Sequence, residues 1–118
     1  ALTVRENLAF WADLAGAAAT ATEAALARIG LEHLRDLPAR FLSAGQRRRL
    51  NLARLLLRPA PLWLLDEPAT SLDSAAFATL AEIIAEHRAA GGIVVAATHG
   101  GLTLGAAVRL RLDQTTAA

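Results

Sequence analysis

The sequence predicts an α/β fold in which a helical N-terminal region leads into a parallel βαβ core, and three observations carry that expectation. Thr3 to Glu6 opens a run in which Leu8, Trp11 and Ala15 recur at helical spacing. Leu62 to Leu65 and Ile93 to Ala97 are short apolar runs without polar alternation, the pattern of strands buried on both faces of a parallel sheet. Between them, Ala75 to Ala89 sets Phe77, Leu80 and Ile84 on one helical face, and a strand, helix, strand order makes the two strands parallel neighbours.

Taken in order, the first helix is expected from about Val4 to Ala15, started by the Thr3 and Glu6 capping box. Gly16 to Ala19 reads as a loose connection. Thr20 with Glu23 has the spacing of a second box ahead of a helix over Ala24 to Ile29, which Gly30 stops. Leu31 to Leu34 suggests one more helical turn, closed by Asp36 and Pro38. Ser43 and Gln46 make a third box, and the helix behind it turns Leu50, Ala53 and Leu57 inward until Pro59 and Pro61 end it. Gly91-Gly92 ends the helix of the βαβ unit. Beyond it, Val108, Leu110 and Leu112 alternate with Arg109 and Arg111 as a half-exposed edge strand, and Asp113 to Ala118 is a polar tail. The chain therefore divides into a helical subdomain, residues 1–58, and a βαβ core, residues 59–118.

Composition narrows the chemistry. Cysteine is absent, which removes disulfides and thiolate metal sites and fits a cytosolic setting. No apolar run approaches the length of a membrane span, so any membrane association is expected through a partner. Between Arg28 and Arg58, eight arginines stand against Glu32 and Asp36 alone. Such a surplus can mark a nucleic-acid surface. Here, however, Arg47, Arg48, Arg49, Arg54 and Arg58 surround one amphipathic helix, whose arginine stems cover apolar surface. Stacking aromatics are nearly absent from the patch, so no nucleic-acid partner is expected. All 12 basic residues are arginine and the chain holds no Met.

The stretch from Leu42 to Asp73 carries the residues suited to chemistry. A helix starting at Ser43 offers unpaired amides and the positive end of its dipole to an anion, with Ala44, Gly45 and Gln46 in its first turn. Gly45 has no side chain to hold a ligand off the backbone. The same spacing also serves an ordinary helix cap. Asp66 and Glu67 end the Leu62 to Leu65 strand, where open parallel sheets bind ligands. Asp66 suits a water-bridged Mg²⁺, and Glu67 suits a base that polarises an attacking water. The alternative is a solvated strand exit with incidental acids. Parallel strands would bring His99 to the same sheet edge, although a lone histidine after a strand is commonly a surface or capping residue. His33 and His87 read as helix-surface residues.

In that order and spacing the residues resemble the ABC-type ATPases. Leu42 to Gln46 is similar to their signature motif, with Ala44 where the family usually has Gly. Leu62 to Glu67 is similar to their Walker B strand with its catalytic glutamate, Ser71-Leu72-Asp73 to their D-loop, and His99 stands at their switch histidine. Thr3-Val4-Arg5-Glu6-Asn7-Leu8 with Phe10-Trp11, Gln46 to Leu50, Leu62 to Leu65, and Gly91 to His99 resemble the ATP-binding subunit of the bacterial haem exporter of cytochrome c biogenesis.

The resemblance implies a partial P-loop NTPase domain whose leading helical region docks on integral membrane transporter subunits. It implies ATP and Mg²⁺ as cofactors and a dimer with a second ATPase subunit. It also implies a peripheral position on the cytoplasmic face of the bacterial inner membrane. Catalysis would fall to Glu67 and His99 and the metal to Asp66. Cofactor binding would fall to Ser43, Ala44, Gly45, Gln46 and Asp73, with Ser43 and Gly45 serving the facing subunit's ATP. A P-loop needs a lysine for the β- and γ-phosphates, and this chain has none. The expectation is therefore a portion of an ATPase domain that is inactive by itself.

Overall fold

The computed structural model describes residues 2–98. Helix α1 is Val4–Ala15. Thr3 and Glu6 close a reciprocal capping box at its start, and Gly16, in the left-handed region at φ 69°, ends it. These are the bounds the sequence predicts. Helix α2, Ala19–Arg28, is different: its N-cap is Ala18, with no side-chain cap. The expected box at Thr20 and Glu23 does not form, because the alanines before it already favour helix and bring Thr20 inside the first turn. Gly30 takes φ 75° and turns the chain into two 3₁₀ turns, Glu32–Leu34 and Ala39–Phe41. The return segment lies against the start of α1, where the Val4 amide donates to the Leu37 carbonyl and the Ala39 amide to the Leu2 carbonyl, both at 2.9 Å.

Helix α3 spans Ala44–Ala53, after which the chain tightens into a 3₁₀ turn, Arg54–Leu56. Leu50, Ala53 and Leu57 are buried, as their spacing predicts, and they join Val4, Leu8, Leu26 and Leu31 in one apolar cluster. Trp11 is packed against that cluster with the Arg54 guanidinium 3.6 Å above its ring, a cation–π contact.

Strand β1, Leu62–Asp66, and strand β2, Ile93–Ala97, pair in parallel with Leu64 opposite Val95 and Asp66 opposite Ala97. Helix α4, Ser74–Ala89, crosses between them and is capped by Asp73. It packs Leu80, Ile83 and Ile84 against Trp63. Phe77, expected on that buried face, is only half-buried, and Ala76 and Ile83 are buried instead.

Burial of the strands on both faces does not hold among the described residues. Trp63 is covered by α4, while Leu62, Leu64, Ile93 and Val95 are exposed, Leu64 by 71%. Among the described residues the sheet has two strands, and α4 with Leu52 and Leu55 packs on one of its faces.

His87 is also not a plain surface residue. Its ring stacks on Trp63 at 3.7 Å between centroids, with 7° between planes. A Cβ on Gly92 would stand 2.2 Å from the imidazole, so the glycine leaves room for the ring. Arg28 ties the two halves together by reaching from α2 to Glu86 at 3.1 Å and Glu82 at 3.6 Å on α4.

Candidate active site

The tip of α3 is built by side chains that bond their own backbone. The Ser43 hydroxyl accepts from the Gln46 amide at 3.1 Å, and the Gln46 side-chain oxygen accepts from the Ser43 amide at 2.9 Å. The Arg47 amide goes to the Ser43 carbonyl. A helix's first turn has amides without an intrahelical acceptor, and those of Ala44 and Gly45 remain for an outside one. The Ser43 hydroxyl keeps its proton to donate. Gly45 also meets a segment of its own chain. A Cβ there would lie 2.9 Å from the Ser71 carbonyl oxygen, so its bare backbone admits this chain's own turn as well as leaving amides clear.

That turn runs from the end of β1 to the start of α4. Asp66 is exposed at the carboxyl end of β1. Glu67 sits in the left-handed region at φ 44°, as does Ser71 at φ 64°, a conformation that non-glycine residues hold only when their surroundings fix it. Glu67 is fixed by its amide, which donates to the Ala97 carbonyl at 2.8 Å, and by its carbonyl, which accepts from the Thr70 amide at 3.1 Å. Pro68 is fully buried beneath the turn.

Two arginines of α3 reach across to this segment. One Arg48 Nη2 donates to the Asp66 carbonyl at 2.7 Å and to the Glu67 carbonyl. Arg49 Nη2 donates to both carboxylate oxygens of Asp73 at 3.1 and 2.9 Å. Asp73 Oδ1 also accepts the Ala76 amide at 2.8 Å as the cap of α4. The Ala76 amide first, and then the Arg49 charge, hold the Asp73 carboxyl below the usual carboxylate range. A cleft of about 590 Å³, with Trp11, Leu14, Arg48, Leu64 and Asp66 on its walls, opens beside the end of β1.

The structure thus brings Gly45 and the 67–73 turn into contact and leaves Asp66 and Glu67 adjacent at the strand end. His99 lies outside the described residues, as do the expected edge strand and tail. Asp73 is engaged within the chain, with Arg49 and the α4 amide. The sequence presents Arg48 and Arg49 as stems over apolar surface and gives no sign of their links to the turn. Charge pattern alone does not say which backbone carbonyl or carboxylate an arginine will meet.

The ABC transporter family matches residues 1–70 of the 118. This chain belongs to that family. Among curated ABC relatives, the cytochrome c biogenesis ATP-binding export protein CcmA of Rhodospirillum rubrum is 57% identical over 112 residues, covering 95% of this chain and 48% of the relative. The CcmA of Paramagnetospirillum magneticum is 55% identical over 117 residues, covering 96% of this chain and 54% of the relative. The chain spans about half the length of the curated relatives it matches.

Among solved structures, the ATP-binding subunit of an ABC transporter superposes with a TM-score of 0.71 at 29% identity. That match covers 80% of this chain and 42% of the other. The ABC chain is thus α/β with parallel strands, consistent with a partial P-loop NTPase fold, and it resembles CcmA over most of its length. Among the described residues no helix is long and apolar enough to cross a membrane.

Proposed function

We propose that this chain is part of an ATPase that couples ATP hydrolysis to membrane transport, and that the transport is haem export or delivery for cytochrome c biogenesis. The observation that carries the reading is the contact between the α3 tip and the 67–73 turn: Gly45 lies against the Ser71 carbonyl, and Arg48 of the same helix bonds the backbone carbonyls of Asp66 and Glu67 at the end of β1. The relatives' name, cytochrome c biogenesis ATP-binding export protein, supports the choice of transport.

In this reading Ser43, Ala44, Gly45 and Gln46 form the helix tip that receives phosphate oxygens, where amides and dipole favour negative charge. Glu67 accepts the proton of the attacking water, with His99 orienting that water. Asp73 lies at the seam between two ATPase subunits. Among the described residues there is no group of three His, Cys, Asp or Glu side chains able to hold a metal, so the candidate donor set is one exposed carboxylate, Asp66. A single oxygen ligand fits Mg²⁺, which keeps its waters and takes its remaining bonds from phosphates. Asp66 would hold that ion, whose chemistry when bound is to neutralise charge on phosphate oxygens.

A second ATPase subunit and integral membrane subunits are the partners, and the chain sits peripherally at the cytoplasmic face of the bacterial inner membrane. A narrower reading, that these 118 residues alone are not catalytic, is favoured by the absence of any lysine to serve a P-loop. The test of the transport reading is Glu67→Gln at the gene's own locus, scored by haem-stained c-type cytochromes. Their loss is expected; normal cytochrome c maturation in that strain sinks the assignment.

A further inference from the structure

We propose that Arg48 is a positioning residue for the reaction, fixing the turn that aims the Glu67 carboxylate; this rests on the reading of Glu67 as the base. The Glu67 backbone is left-handed, and such a conformation in a side-chain-bearing residue persists where several contacts over-determine it. Its amide is tied to β2 through Ala97 and its carbonyl to the turn through Thr70. Arg48 is the tie to a third element, α3. One nitrogen of its guanidinium bridges the carbonyls of Asp66 and Glu67, so it grips the two peptide units that flank the Glu67 Cα.

Hydrogen bonds from a cation are stronger than neutral ones, and arginine keeps its charge at all working pH values. Arg48 Nε is buried and without a partner among the described residues, and Nη2 makes the bonds to the turn. Its neighbours differ. Arg47 is exposed, and Arg49 is engaged with Asp73. Arg48 also starts from the helix whose tip is the phosphate-binding candidate, two residues beyond Gln46. A displacement of that helix is therefore transmitted directly to the carbonyl ends of the two carboxylate residues.

The test measures ATP turnover and melting temperature of the complex purified from its own gene, unsubstituted and as Arg48→Ala, Arg48→Gln, Arg48→Lys and Arg47→Ala. Arg48→Ala is expected to lower kcat about 10- to 100-fold, the scale of a small misplacement of a reacting group, with KM within about twofold and the melting temperature little changed. Arg48→Lys recovers part of the rate, Arg47→Ala stays at the unsubstituted rate, and in a Glu67→Gln background Arg48→Ala lowers residual turnover no further.

If Arg48→Ala does not fold, Arg48→Gln, which keeps the apolar stem and a neutral donor, decides by the same split. Unsubstituted kcat in whichever of the two folds, or an equal loss in the Glu67→Gln background, overturns the proposal alone. No turnover in the unsubstituted complex overturns the functional reading as well.

Discussion

The helical half and the strand half of this chain use similar apolar content and reach different ends. In residues 4–57, three helices and their connecting turns enclose Val4, Leu8, Leu26, Leu31 and Ala53 so that each has no exposed surface. In residues 62–97, α4 covers one face of a two-stranded sheet, and Leu62, Leu64, Ile93 and Val95 stand open on the other. A helix's apolar stripe finds cover from helices that follow within a few tens of residues. A parallel strand has two apolar faces and needs a layer on each. Apolar sequence therefore reports the capacity for burial, and the neighbouring layers decide whether it is used.

The largest effect that could break this contrast is a core truncation. Leu26→Ala is expected to cost about 2–5 kcal/mol in urea unfolding of the 118-residue chain, whereas Leu64→Ala changes stability by no more than about 0.5 kcal/mol. Equal losses would abolish the distinction between a closed and an open half.

A smaller effect separates helix starts that are capped from one that is not. Ser43→Ala removes the hydroxyl that accepts the Gln46 amide, and a loss of about 0.5–2 kcal/mol is expected. Thr20→Ala, inside α2 and away from the cap, should be close to neutral. A Thr20→Ala loss as large as that of Ser43→Ala would restore the discarded box.

The smallest effect is a pH dependence shared by both halves. Glu6 is held low by the Thr3 amide and hydroxyl, Asp73 by the Ala76 amide and then Arg49, and Glu86 by Arg28. Each has a folded pKa below its unfolded one. Their stabilisation is thus complete above ordinary carboxylate values, about 4, and is lost as pH falls through the depressed ones. The midpoint of urea unfolding should drop on acidification below about pH 4, and Asp73→Asn should shrink that drop. An acid limb unchanged in Asp73→Asn would remove Asp73 from it.

Much of the scaffold was legible because local chemistry dictates it. Thr3, Glu6 and Gly16 delimit α1 from within their own turns, and the Ser43 and Gln46 box starts α3 for the same reason. The parallel pairing followed from two apolar runs joined by one helix. What was not legible depends on distant groups. The stack of His87 on Trp63, the entry of the Ser71 carbonyl beside Gly45, and the reach of Arg48 and Arg49 to the turn join residues separated by up to 26 positions. The open sheet face was unreadable for a related reason, since an apolar run looks the same whether one layer or two will cover it. The start of α2 failed because alanine's helix preference outweighed a spacing that resembled a cap.

The central claim is that the strand-end acid Glu67 serves bond cleavage and not nucleotide binding. The direct measurement is ATP affinity alongside single-turnover hydrolysis for the complex carrying Glu67→Gln. Affinity unchanged with hydrolysis slowed about 100-fold or more is the result expected. Hydrolysis at the unsubstituted rate, or a loss explained wholly by weaker ATP binding, would contradict the account.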